Sequence, residues 1–348
     1  LITRRYHHAV CVSGTHGKTT TSSILTQILM EAGLDPSAVI GGKLPLIGGS
    51  GRDGKSDIMV CESCEYVDTF LHLEPDIAVI LNIDQDHMEY FKTLERLIAS
   101  FRRFAELATQ SLIVNGDDEN TRKAVEGINK KTTTFGWSDQ NDYYPVNIGH
   151  ADGSLYSYDL MYRGDKLCDI RLFVPGKHNI LNSIAAAAAA IEVGATPEQA
   201  AKGIADFRGA GRRFEILGTC NGATVADDYA HHPAELKATL EAAKELHYKR
   251  IWAVFQPFTY SRTAMLLDDF ANVLKLADRV VMTEIMGSRE KNTYNIYTKD
   301  LAAKIDGSVW FDTFEKVADY LKQNVEPGDL VITLGCGDVY KIAKMLIS

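Results

Sequence analysis

The chain has 348 residues, 45% of them hydrophobic and 24% charged, with a formal net charge of -9 at pH 7. That length asks for two domains rather than one core, and an acidic balance without a basic stripe excludes a binder of nucleic-acid backbone. No apolar run reaches bilayer length and no signal peptide is evident, so neither membrane insertion nor export is expected. The first residue is Leu rather than Met, which reads as a fragment or a processed chain. Six cysteines stand at positions 11, 61, 64, 168, 220 and 336. Cys61 and Cys64 have C-x-x-C spacing, but zinc needs a second pair and there is none. Ordinary buried thiols of a reducing cytoplasm are expected.

Residues 9–13 form an apolar strand pattern that runs into Gly14-Thr15-His16-Gly17-Lys18-Thr19-Thr20-Thr21 and then an apolar-periodic helix, 19–32, closed by Gly33. Glycines let the backbone wrap an anion, successive N–H groups make a nest, and the helix points its positive end inward. In such a loop Lys18 reaches the β- and γ-phosphates and the Thr19 hydroxyl ligates Mg²⁺. Val12 stands where the generic loop has another glycine. The plain alternative is a Gly-containing turn. Strand, Gly-Lys-Thr and helix in the required order favour the phosphate loop.

Residues 58–61 and 77–81 are continuous apolar runs, as expected of strands buried on both faces of a parallel sheet. A helix follows at 94–107 and a strand at 112–114. Residues 143–148, 155–162 and 167–174 read as antiparallel strands, with a hairpin turn over 163–166. Helices return near 179–193 and 197–204, and the Gly- and Arg-rich stretch 208–213 reads as a hinge. Strands at 224–226, 251–255, 279–283, 309–311 and 330–334 then alternate with helices. Gly335 and Gly337 begin a dinucleotide fingerprint, but Tyr340 occupies the third glycine position and excludes NAD. The expected fold is α/β: a P-loop ATPase domain over 1–211, with a mostly parallel sheet and a small antiparallel one, then a Rossmann-like doubly wound domain over 212–348.

Open α/β sheets bind ligands at the carboxyl ends of their strands. Three strands here end in polar residues: at the phosphate loop, at Glu62, and at Asp84-Gln85-Asp86-His87. If parallel, they converge on one rim, where a carboxylate and an imidazole beside a triphosphate suit divalent metal. Thr19, Glu62 and His87 are the candidate ligands. Taken singly, Glu62 also reads as a helix cap and His87 as a satisfied, half-buried histidine.

Residues 14–20 resemble the ATP loop of the Mur ligase superfamily, which adds amino acids to the peptidoglycan precursor. His16 within the loop resembles the branch that joins L-alanine, or a preformed peptide, to UDP-N-acetylmuramate. Glu62 to Tyr66 is similar to the family's acidic segment, whose first glutamate ligates Mg²⁺. Asn82 to Met88 resembles its N-I-x-x-D-H-M motif, whose histidine helps hold a second Mg²⁺. Residues 114–118 and 176–182 match further signatures. The latter implies adenine contacts for His178 and Asn182, while Asn179 suits either that role or helix capping. Asp227-Asp228-Tyr229-Ala230-His231-His232-Pro233 resembles D-D-Y-G/A-H-H-P, which implies an aspartate near the ATP ribose and a histidine near substrate. Arg212 or Arg213 resembles the hinge arginine that touches nucleotide phosphate.

Residues 255–263 resemble F-Q-P-H-x-Y-T-R-T of the L-alanine-adding branch, whereas the peptide-recycling branch begins this segment with Glu-Pro-Arg. The resemblance implies that Arg262 receives the amino acid's carboxylate, a task suited to a guanidinium fork. A surface salt bridge for Arg262 and core packing for Phe258, which replaces the usual histidine, are the bland alternatives. Helix 94–107 holds Arg96, Arg102 and Arg103 but no lysine, so the carbamylated lysine of several relatives is not expected.

The resemblance covers the chain end to end, and implies a UDP-binding domain before the point where this sequence begins. It implies a cytoplasmic ligase of cell-wall biogenesis, serving cell shape and division, that uses ATP and Mg²⁺. Lys18, His87, His231, His232 and Arg262 are its expected catalytic set. Expected partners are small-molecule substrates only, UDP-N-acetylmuramate and L-alanine, and the expected state is a monomer or weak homodimer. The rival readings are a peptide-recycling ligase, a non-catalytic nucleotide-binding module and a small-molecule kinase.

Overall fold

The computed structural model describes residues 2–151 and 153–347. They divide into two compact units, Leu1–Ala210 and Gly211–Ser348.

In the first unit the strands are β1 (His8–Ser13), β2 (Ser37–Leu44), β3 (Gly49–Arg52), β4 (Ile58–Glu62), β5 (Ile77–Ile80), β6 (Ser111–Asn115), β7 (Lys131–Phe135), β8 (Tyr143–Gly149), β9 (Tyr156–Tyr162) and β10 (Asp165–Leu172). Its helices are α1 (Lys18–Glu31), α2 (Met88–Phe91), α3 (Leu94–Leu107), α4 (Glu119–Val125), α5 (His178–Glu192) and α6 (Pro197–Asp206). The ten strands form one sheet in the order β10-β9-β8-β7-β6-β5-β1-β4-β2-β3. β4, β1, β5, β6 and β7 run parallel.

Alternation along the buried strands supplies both faces of the sheet. Val10, Val12, Ile77 and Val79 pack with Ile24 and Ile28 of α1 and Ile184 of α5. Cys11, Ala78 and Ile80 point the other way, onto Leu97, Phe101 and Phe104 of α3. Helix α1 ends in the motif its sequence suggests: Gly33 has φ +72° and donates to the Met30 carbonyl, while Leu34 N–H reaches back to Leu29.

The antiparallel strands are an extension of this same sheet. β8 joins β7 in parallel through the pair Phe135 and Tyr143, and β8, β9 and β10 then form the expected antiparallel ladder. The β9–β10 turn is shorter than expected. Arg163 and Gly164 alone make it, with φ of +50° and +95°, and Asp165 and Lys166 already belong to β10. Two left-handed residues match the twist of the flanking strands, as in a type I′ turn. The β2–β3 hairpin was not foreseen.

The second unit contains β11 (Glu215–Cys220), β12 (Ala223–Asp228), β13 (Ile251–Phe255), β14 (Arg279–Thr283), β15 (Val309–Phe311) and β16 (Leu330–Leu334). Its helices are α7 (Pro233–Glu245), α8 (Tyr260–Met265), α9 (Leu267–Leu274), α10 (Thr298–Ala302), α11 (Phe314–Asn324) and α12 (Tyr340–Ile347). Strand order is β11-β12-β16-β13-β14-β15, with β11 alone antiparallel. Leu236, Leu240, Phe270 and Leu301 cover one face; Val317, Leu321, Ile342 and Leu346 cover the other. The last strand, β16, is inserted between the first two parallel ones. That reversal of order is the switch point at which doubly wound sheets open a crevice at their strand ends.

Candidate active site

Because β1, β4 and β5 are parallel, their carboxyl ends lie along one edge, as expected. After β1 the chain turns through residues 14–17 into α1. Gly17 caps that helix at φ +89°, and a Cβ there would stand 2.4 Å from Asn182 Oδ1. Only glycine fits such a place. The loop is fastened to the end of β5: His16 N–H donates to Asn82 Oδ1 at 2.8 Å, and Asn82 Nδ2 donates to the His16 carbonyl at 3.0 Å. Thr15 and Asp84 exchange two further hydrogen bonds, Asp84 N–H to Thr15 Oγ1 at 2.9 Å and Thr15 Oγ1–H to the Asp84 carbonyl at 3.2 Å. The His16 imidazole lies 3.6 Å from the Asp84 carboxylate.

Lys18 opens α1. Its Nζ donates to the Gly14 carbonyl at 2.6 Å and the Thr15 carbonyl at 3.1 Å, and is 2.9 Å from Glu65 Oε2. Burial alone would lower its pKa. The charge of Glu65, backed by Cys64 and Glu62, outweighs that and raises it. Glu65 is only 1% exposed and is the partner that sequence reasoning missed. The available signal was an acid three residues beyond Glu62, opposite the lysine of the loop.

Thr19 and Glu62 meet: Thr19 Oγ1–H donates to Glu62 Oε1 at 3.0 Å. Glu62 is the last residue of β4 and caps no helix. Two oxygen donors of this kind beside a helix N-terminus fit Mg²⁺, which takes one or two protein oxygens and fills its octahedron with phosphate and water. Thr20 lies half-buried in the first turn of α1.

His87 follows β5. Its backbone is left-handed at φ +56°, its ring lies 4.7 Å from that of Tyr66, and Nε2 is 3.7 Å from Asp86. Among the described residues no three His, Cys, Asp or Glu side chains group as a protein-made metal cage would.

At the start of α5, His178 is exposed. Asn179 and Asn182 are buried, with Asn182 Nδ2 donating to Asn179 Oδ1 at 2.8 Å and Asn179 Nδ2 to the Pro175 carbonyl at 2.7 Å. Asn179 therefore does not cap the helix.

In the second unit the rim looks different. Asp227 and Asp228 are 1% and 7% exposed. Asp227 accepts from Arg212 Nε at 2.9 Å and Thr333 Oγ1 at 2.6 Å. Asp228 accepts from the N–H groups of Phe214 at 2.7 Å and Ala230 at 2.8 Å, and from Thr239. Burial raises the Asp228 pKa to about 6 against the pull of Arg213 and those N–H groups. Arg212 also donates to the Gly335 carbonyl at 2.6 Å and lies between the rings of Tyr229 and Tyr340. Asp227, Asp228 and Arg212 thus each have partners within this unit, linking β12, β16 and the start of the unit.

The two histidines separate. His232 is the N-cap of α7, its Nδ1 accepting from Ala234 N–H while Glu235 reaches back to its N–H. His231 places Nδ1 3.0 Å from the Tyr229 carbonyl and 3.2 Å from Glu235, and its ring meets Phe258 edge-on at 6.4 Å. Phe258 is half-exposed rather than core. Arg262 lies in the first turn of α8. Burial raises the Cys336 thiol to about 12 against the opposing charge of Arg262, with Glu235 raising it and Arg212 lowering it further, so these charges surround the loop after β16.

A family model described as the Mur ligase middle domain matches residues 12–190, and one described as the Mur ligase glutamate ligase domain matches 212–337. The UDP-N-acetylmuramate–L-alanine ligase of Caldanaerobacter subterraneus subsp. tengcongensis is 43% identical over all of this chain and 77% of its own length. That of Acetivibrio thermocellus is 41% identical over 99% of this chain and 75% of its own. The crystal structure of the UDP-N-acetylmuramate–alanine ligase of Thermotoga maritima superimposes with a TM-score of 0.82 at 25% identity, covering 99% of this chain and 76% of that one. Matched by these two family models and by relatives about 40% identical along its whole length, this chain belongs to the Mur ligase family.

Proposed function

We infer that this chain is an ATP-dependent ligase that joins L-alanine to the carboxylate of UDP-N-acetylmuramate in peptidoglycan precursor synthesis. The observation that carries the reading is the rim of the first unit, where Lys18, Thr19 and Glu62 stand together at the N-terminus of α1. The choice of L-alanine rests on relatives about 40% identical along the whole chain and on the segment 255–263.

A carboxylate is a poor electrophile because its leaving group would be oxide. One of its oxygens attacks the γ-phosphorus and ADP departs, leaving an acyl phosphate. The amine of L-alanine then attacks the carbonyl carbon, loses a proton, and inorganic phosphate leaves with the oxygen it took from the carboxylate. Lys18 exchanges Glu65 for phosphate oxygens and, with the N–H groups of the loop, stabilises charge on the transferring group. Mg²⁺ held by Thr19 and Glu62 would neutralise further charge there. His178 and Asn182 serve adenine. Arg262 receives the amino acid's carboxylate, and His231, rather than the capping His232, faces substrate. The enzyme works in the cytoplasm on small molecules, as a monomer or weak homodimer.

Mass spectrometry of reactions with Mg²⁺-ATP and UDP-N-acetylmuramate tests this, with L-alanine or a tripeptide as amine. The expected product is the L-alanine amide, formed only with all three substrates. Faster use of the tripeptide would make this a recycling ligase; a phosphorylated product without amine, a kinase; bound ATP without turnover, a nucleotide-binding module.

A further inference from the structure

The Glu62 carboxylate is held from two sides. Oε1 accepts from Thr19, while Oε2 accepts from the backbone N–H of Gly41 at 2.6 Å and faces Ser22 Oγ at 3.5 Å. Gly41 belongs to β2, two residues beyond the last pair that β2 makes with β4, Val39 with Cys61. An ideal Cβ at position 41 would lie 2.3 Å from Glu62 Oε1 and 2.6 Å from both Cδ and Oε2. The backbone there is not left-handed, so chain conformation does not require glycine. A side chain here would instead push the Glu62 carboxylate out of the position it holds.

We propose that Gly41 is a positioning residue for the divalent cation: its N–H fixes one oxygen of Glu62, and its missing side chain leaves the space the carboxylate occupies. The proposal rests on the reading of Thr19 and Glu62 as cation ligands. A carboxylate on a flexible stem has many rotamers, and a ligand is only as good as its orientation. Outer donors that orient metal ligands are typically worth about 10–100-fold in metal affinity. Here the donor is a peptide N–H on a strand hydrogen-bonded to the ligand's own strand, so it stays in place when Oε1 exchanges the Thr19 hydroxyl for a cation. The hairpin at the edge of the sheet thereby contributes to the site through one glycine.

Calorimetric titration of ADP at graded Mg²⁺ concentrations tests this with the wild type, Gly41→Ala, Glu62→Asp and the double variant. Gly41→Ala should bind ADP without Mg²⁺ as the wild type does, yet need about 10–100-fold more Mg²⁺ to gain its metal-dependent affinity. Glu62→Asp should also need more. The double variant should match Glu62→Asp within about twofold, because a shorter carboxylate no longer meets the new methyl group. A wild-type Mg²⁺ requirement in Gly41→Ala, weakened metal-free binding, or multiplied effects in the double variant would each overturn the proposal while leaving the cation reading intact. An unchanged Mg²⁺ requirement in Glu62→Asp would remove the cation reading and the proposal with it.

Discussion

At the carboxyl edge of the first sheet, Glu62 accepts from a side-chain hydroxyl and Lys18 leans on carbonyls and on Glu65. At the edge of the second, Asp228 accepts from two backbone N–H groups and Asp227 from Arg212 and Thr333. Both edges are polar residues following buried strands. The two edges share donors of both kinds: Glu62 also accepts from the Gly41 N–H, and the partners of Asp227 are side chains. Asp228 differs, because it satisfies two backbone donors that would otherwise be buried unpaired. An acid after a strand can therefore be held mainly by side chains or mainly by backbone, and the donors show which.

The widest gap between the edges should appear with Lys18→Ala. Turnover should fall by about 10²–10³-fold, the usual scale for losing one fixed electrostatic contact to a transition state. Because Glu65 is left buried without its counter-charge, stability should fall as well. Adding Glu65→Ala should restore the melting temperature and not the turnover. Recovery of turnover in the double variant would place Lys18 with the scaffold.

Asp228→Ala should do the reverse, lowering the stability of the second unit by about 2 kcal/mol at pH 5 through two unpaired N–H groups. The size of the loss depends on pH. The folded pKa of Asp228, about 6, lies above its unfolded value, so ionisation costs stability above pH 6, and the cost fades as pH falls towards 4. Wild type should therefore gain about 1 kcal/mol on the variant between pH 7 and pH 5. Denaturant melts at the two pH values check this, and a gap that widens towards pH 7 would mean that Asp228 ionises easily.

The smallest effect distinguishes the histidines. His232→Ala should cost about 1 kcal/mol as a lost helix cap, with His232→Asn near wild type. His231→Ala should leave stability alone and lower turnover. Equal kinetic damage from both would reunite them.

Much of this was legible where the signal is contiguous. The phosphate loop, its helix and Gly33 occupy one stretch, and the apolar runs before Glu62 and Asp84 announce buried parallel strands. The β2–β3 hairpin was not legible, because Gly41, Gly42, Gly48, Gly49 and Gly51 suppress strand propensity and the pairing partner lies further along the chain. Continuity of the antiparallel strands with the parallel sheet rests on the single pair Phe135 and Tyr143, which no local pattern encodes. The inward turn of Asp227 and Asp228 depends on donors from Arg212, Phe214, Thr239 and Thr333, scattered over more than a hundred positions. The His232 cap was readable: Pro233 and Glu235 follow it as helix-start residues do.

The most direct test of the account follows one oxygen atom. UDP-N-acetylmuramate labelled with ¹⁸O in its carboxylate, turned over with Mg²⁺-ATP and L-alanine, should deliver one ¹⁸O into the inorganic phosphate released, since the acyl phosphate hands over a carboxylate oxygen when the amine displaces it. Mass analysis of the phosphate reads the result. Unlabelled phosphate accompanying amide formation would show that the γ-phosphoryl never reached the carboxylate, and would contradict the role assigned to the Lys18 rim.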